Sequence, residues 1–207
     1  MSLTPVIINS PPGSGGIFAR ELIRNNLKAE VIWPLHQLDG FKEDSINICI
    51  IRNPYECLAS GLEAGFRDKD SRTQEELDWY DRDPYNATLT VLPFTLKIYN
   101  DFLDACENLE YVTAISFEFL TENPEKFLKY ISEKFKIDFR PEQERVSAED
   151  TKLMIASNES HGTRVPRETT EMRKIMDPVV SEYSEVKDAY DRHLILKNTI
   201  QLTENML

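Results

Sequence analysis

The stretch "VIINSPPGSGGIFARELI" (Val6–Ile23) sets three glycines and a serine between a β-branched run and a segment of helical spacing. A glycine-rich strand-to-helix turn can aim backbone N–H groups at one point, with the helix N-terminus behind them. Such a turn binds an anion without a cationic side chain. Gly13, Gly15 and Gly16 permit close approach, Ser14 adds a hydroxyl donor, and Ile17 opens the helix. The other reading of these residues is simply a tight turn. Magnesium-nucleotide enzymes carry G-x-x-x-x-G-K-[ST], whereas "GGIFAR" has no Lys before a hydroxyl residue, so a metal-nucleotide hydrolase or kinase fits poorly. A dinucleotide turn is disfavoured as well, since no well-placed acidic residue ends the second strand.

A second stretch, "CIIRNPYECLASGLE" (Cys49–Glu63), places Arg52 at the end of an apolar run and Ser60 eight residues on. That spacing is about two helical turns. A guanidinium fork and a hydroxyl so placed can hold one phosphate from two sides. Arg52 can equally cap a helix or pair with Glu56. Two anion sites on one sheet edge would suit a ligand with separated anionic groups.

These residues need elements to hold them. Apolar runs predict strands at Val6–Ser10, Ala29–Trp33, Ile46–Arg52 and Tyr111–Phe117. Helical spacing covers Ile17–Leu27, Pro54 to about Phe66, Ala87–Glu107 and Asn123–Ile137, and Pro54 suits a first helical turn. The rest reads as mostly helical, broken by Ser157–Thr169. Strands alternating with helices predict a three-layer α/β sandwich with a mainly parallel central sheet, as one domain over residues 1–207. Ligands of such sheets bind beyond the carboxyl ends of the strands, where the opening loop, Arg52 and the turn after Phe117 all fall. The polar segment Arg67–Asn86 reads as a lid on the acceptor side. Its Trp79, Tyr80 and Tyr85 either stack on a sugar or aromatic acceptor or pack on the domain.

Bulk composition narrows the function further. The 207 residues carry a formal net charge of −12, which argues against a nucleic-acid surface but leaves room for a local cationic pocket. No apolar run is long enough to cross a bilayer and no signal-like leader opens the chain, which predicts a cytoplasmic protein. Cys49, Cys57 and Cys106 lack metal-ligand spacing and read as reduced core residues, with no metal site expected.

The pattern R-x-P-x-x-x-x-x-S after a hydrophobic strand, preceded by the P-P-G-S-G-G turn, resembles the sulfotransferases that use 3′-phosphoadenosine 5′-phosphosulfate (PAPS). "SFEFLTENPEKFLKYISEKFKI" (Ser116–Ile137) is similar to a third segment of that family, in the same order. The resemblance implies the P-loop sulfotransferase fold, PAPS as donor, 3′-phosphoadenosine 5′-phosphate (PAP) as product, and a hydroxyl or amine of a small molecule or saccharide as acceptor. It implies that Gly13, Ser14, Gly15, Gly16 and Ile17 wrap the 5′-phosphosulfate, that Arg52 and Ser60 hold the 3′-phosphate, and that Phe117 lies by the adenine. It makes "HGTRVPRE" the cofactor-covering loop, with Gly162, Arg164 and Arg167 as phosphate contacts, and His36 the catalytic base. Many relatives carry Lys or Arg where Gly13 stands. Either Arg20 or an arginine of 164–167 replaces that cation, or catalysis is slow, or the chain is a nucleotide-binding module that transfers nothing.

Overall fold

The computed structural model describes residues 3–33, 36, 38–66, 72–157 and 171–204. Its strands are β1 (Thr4–Ile8), β2 (Ala29–Ile32), β3 (Ile46–Ile51) and β4 (Val112–Ser116), joined in one sheet of order β2-β1-β3-β4. Every pairing is parallel. Alternate side chains of each inner strand enter opposite cores. Ile7, Cys49 and Ile51 face one cluster, whereas Val6, Ile8, Ile48 and Ile50 face the other. Burial on both sides is why these strands read as nearly unbroken apolar runs.

The helices fall into two layers accordingly. On one face lie α1 (Gly16–Asn26), the short α5 (Phe117–Glu122) and α6 (Pro124–Phe135), contributing Leu22, Ile23, Phe127 and Ile131. On the other lie α2 (Pro54–Phe66), α3 (Gln74–Arg82), α4 (Pro84–Asn108), α8 (Glu171–Glu182) and α9 (Ser184–Glu204), with Tyr99, Phe102 and Val186 fully buried. Helix α7 (Ala148–Ser157) borders α1. The molecule is thus an α/β sandwich on an all-parallel sheet. Among the described residues, no helix is long and apolar enough to cross a membrane.

Segment 67–86 differs from the irregular lid expected of it: from Gln74 on it is helical. Thr73 and Glu76 form a reciprocal capping box that starts α3, and Asp83 caps α4 with Pro84 in its first turn. Tyr80 is buried and stacks on Phe66 at 4.3 Å, and Trp79 packs against the same core, whereas Tyr85 is exposed. Residues 67–71 lie outside the described part.

Strand order fixes where a ligand can enter. The chain leaves β1 for β2 on one side and returns to place β3 on the other, so the order reverses between β1 and β3. Helices flanking such a reversal diverge and open a crevice at the carboxyl ends of the two strands.

Candidate functional site

The loop 9–15 emerges at that crevice. Asn9 N donates to Ile48 O at 3.0 Å, the last tie to the sheet. Ser14 then folds the loop on itself, donating through its N (3.2 Å) and its Oγ (2.6 Å) to Pro11 O. The fully buried Ser14 hydroxyl therefore serves the turn, where it was expected to donate to a ligand. Gly13 and Gly15 take φ of 84° and 90°, the left-handed conformation that favours glycine. Close approach bars a side chain at each. A Cβ on Gly13 would lie 2.4 Å from Cys57 O and 2.8 Å from Gly61 N, and one on Gly15 would enter the Phe117 ring at 2.7 Å.

Helix α1 begins bare. Its N-cap, Gly15, offers no side-chain acceptor, and its first turn contains no acidic residue. Among the described residues no acceptor meets the amides of Gly15, Gly16, Ile17 or Phe18. Ala19 N is the first to bond, to Gly15 O at 3.2 Å. Unmatched N–H groups and the positive end of the helix dipole thus meet at the crevice. Beside Gly16 stands the fully buried Ser10 hydroxyl, whose oxygen has no hydrogen-bond partner among the described residues. A buried hydroxyl left in this state is costly. An oxyanion seated on the bare amides would offer the missing acceptor, so these residues fit such a group.

Sheet register delivers the second part. Ile51 pairs with Ser116, so the next residues, Arg52 and Phe117, leave the sheet side by side. The Arg52 guanidinium lies 4.5 Å from the centre of the Phe117 ring, which itself backs onto Gly15. Arg52 is only 4% exposed. Its Nη1 donates to Gly13 O at 2.9 Å and its Nη2 to Glu56 Oε2 at 3.0 Å. Of the alternatives open in the sequence, the pair with Glu56 is present, and the same side chain also touches the loop. A buried cation needs such partners, because an unpaired charge there would be strongly destabilising.

Helix α2 carries the rest. Asn53 Oδ1 accepts from Tyr55 N, Asn53 O accepts from Cys57 N, and Pro54 supplies the first turn. Ser60 then faces the loop, its Cβ 3.2 Å from where a Gly13 Cβ would stand. The Cys57 thiol donates to Pro12 O at 3.1 Å. Burial pushes that thiol up to about 12, so it packs rather than reacts. All three cysteines are free.

His36 sits at φ 65° with its Nδ1 against Ser10 O, at the root of the loop, and its ring edge-on to Trp33. A carbonyl only accepts, so Nδ1 carries the hydrogen and a neutral ring keeps its lone pair on Nε2. Arg20, one candidate for the cation absent from position 13, is engaged elsewhere in this structure. It pairs with Glu21 at 2.7 Å and covers the Trp33 ring. Gly162, Arg164 and Arg167 lie outside the described residues.

Three residues of the site escaped the sequence reading: Ser10, Tyr99 and His193. Burial holds the Tyr99 phenol well above its ordinary value, and its OH donates to Arg52 O at 2.7 Å. His193 Nδ1 lies 3.2 Å from that phenol oxygen. The pair pins the Arg52 backbone from α4 and α9. Elsewhere, concavities of about 340 Å³ (Arg24, Asn25, Arg140, Glu144) and about 460 Å³ (around Thr4, Ile46 and Lys134) lie at the amino edge of the sheet, away from the bare helix start.

Fold and site define an open, parallel α/β protein with a glycine-rich strand–loop–helix at its strand-order reversal. Set against family models, curated proteins and solved structures, the chain matches none of them.

Proposed function

We propose that this chain is a sulfotransferase that moves the sulfuryl group of PAPS to a hydroxyl or amine of a small-molecule or saccharide acceptor, on a P-loop sulfotransferase fold. The observation that carries the reading is the pairing of the uncapped start of α1 with a buried arginine on the neighbouring strand end, at the strand-order reversal. It gives two cationic centres on one rim, which suits a nucleotide with phosphate groups at both ends. In this reading the amides of Gly15, Gly16 and Ile17 face the 5′-phosphosulfate, and Arg52 with Ser60 faces the 3′-phosphate. Phe117, already stacked between Gly15 and Arg52, offers an aromatic edge to the adenine.

The chemistry asks for alignment and for stabilisation of charge on the leaving oxygen. His36 Nε2 takes the acceptor proton, the acceptor oxygen or nitrogen forms the new bond to sulfur, and the bond from sulfur to the bridging oxygen breaks. The electron pair of that bond stays on the 5′-phosphate of PAP, opposite the amides of α1. No metal enters this scheme. A second reading, a nucleotide-binding module without turnover, draws on a specific observation. Position 13 has no room for the cation many relatives carry, and Arg20 is turned to Glu21. Loss of one such group costs about 3 kcal/mol of barrier, roughly a hundredfold in rate.

Calorimetric titration separates these readings from a phosphotransferase: PAP is expected to bind and ATP with Mg²⁺ is not. PAPS turnover across an acceptor panel separates enzyme from module, with His36→Ala expected to slow it at least about a hundredfold. Arg52→Ala is expected to weaken PAP by about 2 kcal/mol and to spare adenosine 5′-monophosphate. Equal loss for both nucleotides would count against the 3′-phosphate role, and absence of PAP binding would overturn the function itself.

A further inference from the structure

Among the described residues, two guanidiniums approach the Glu56 carboxylate. Arg52 Nη2 lies 3.0 Å from its Oε2, and Arg173 Nη2, arriving from α8, lies 3.9 Å from the same oxygen. Arg173 is 13% exposed, and its Nε is fixed at 2.7 Å by Asp177 one turn further along, which turns its Nη edge toward Glu56. Two largely desolvated arginines, one just after β3 and one on α8, thus approach a single carboxylate oxygen. Convergent donors of this kind are how proteins hold phosphate. Glu56 itself is 47% exposed and sits one turn before Ser60 on α2, so its carboxylate lies between the buried guanidinium and water.

Resting on the nucleotide reading above, we infer that Arg173 joins Arg52 in taking the ligand's 3′-phosphate, and that Glu56 is the resident carboxylate which that phosphate displaces. Glu56 keeps the two guanidiniums apart from one another's charge while no ligand is bound. A dianionic phosphate outcompetes a single carboxylate for the pair, whereas a neutral 3′-hydroxyl does not. The cluster therefore selects for 3′-phosphorylated nucleotides. It also makes the opposite substitutions at Glu56 and Arg173 act with opposite sign.

The test titrates PAP and adenosine 5′-monophosphate against the wild type, Arg173→Gln and Glu56→Gln. Arg173→Gln is expected to weaken PAP about tenfold and leave the monophosphate within about twofold. Glu56→Gln is expected to tighten PAP about threefold or more, with a lower unfolding temperature without ligand and a larger gain on adding PAP. Tighter binding cannot arise from misfolding, so this variant guards the test. PAP binding that Arg173→Gln leaves unchanged, or that Glu56→Gln weakens, overturns the inference while the nucleotide reading stands. A wild type that binds no PAP overturns both.

Discussion

At Gly13 a single added carbon would meet the Cys57 carbonyl oxygen at 2.4 Å, on a backbone already at φ 84°. Backbone strain and overpacking then act together, and Gly13→Ala is expected to lose about 2–4 kcal/mol in urea unfolding. Gly65→Ala, late in α2 with nothing within 4 Å of the new carbon, is expected to gain about 0.5–1 kcal/mol. His193 gives a second residue-scale outcome. Burial pulls its imidazole down to about 4, against a raising influence from Glu118 and a lowering one from Lys197. Between about 6.5 and about 4 the unfolded chain takes up a proton that the fold refuses, so stability is full above that window and falls as pH drops through it. The loss between pH 7 and pH 5 is about 2 kcal/mol, and His193→Gln is expected to remove most of that slope in paired urea titrations. The glycines, Arg52 and its possible link to Glu56 were readable because each signal is local, within one turn of the chain. Tyr99 and His193 were not, since their contacts with Arg52 and with each other span 47 and 94 residues and follow from layer packing alone.

Among the elements, α5 does the most positioning for its six residues. Ser116 closes β4 and its Oγ accepts from Phe119 N at 3.2 Å, which turns the chain into α5 and aims Phe117 at Gly15 and Arg52. Ser116→Ala leaves that buried amide unmatched and is expected to cost about 1 kcal/mol, with a weaker nucleotide titration because Phe117 loses its anchor. Unchanged binding beside the expected loss of stability would show that Phe117 does not contribute. The same local chemistry explains what was visible of the fold. The four strands lie within one or two residues of their predicted places, because runs such as "INICII" are buried on both faces and carry no competing helical period. Helix α3 was hidden by a charge-dense sequence whose apolar stripe is thin. Its one clear mark was the Thr73-x-x-Glu76 box. Helix α5 was hidden by its length, too short to show a period between β4 and the Asn123–Pro124 start of α6.

Across the whole molecule, a charge of −12 stands against a site proposed for a polyanion. Among the described residues the local balance is close to neutral, because Arg52 and Arg173 are matched by Glu56 and Asp177. The long-range field that an approaching nucleotide meets is therefore the repulsion of the whole protein, and only the last few ångströms favour it. Salt screens charges farther apart than a Debye length, which shrinks from roughly 20–30 Å near 0.01–0.02 M to about 8 Å at 0.15 M. Buried guanidiniums are screened much less. Raising ionic strength over that range is thus expected to speed PAP association several-fold while dissociation changes little, so that binding tightens with salt. Stopped-flow mixing of PAP with the wild type measures both rates. A chain whose positive surface steered its ligand would give the reverse, association slowing as salt rises. That result would mean that cations beyond Arg52 and Arg173 govern approach, and would move the search for phosphate contacts to residues 158–170, where Arg164 and Arg167 lie.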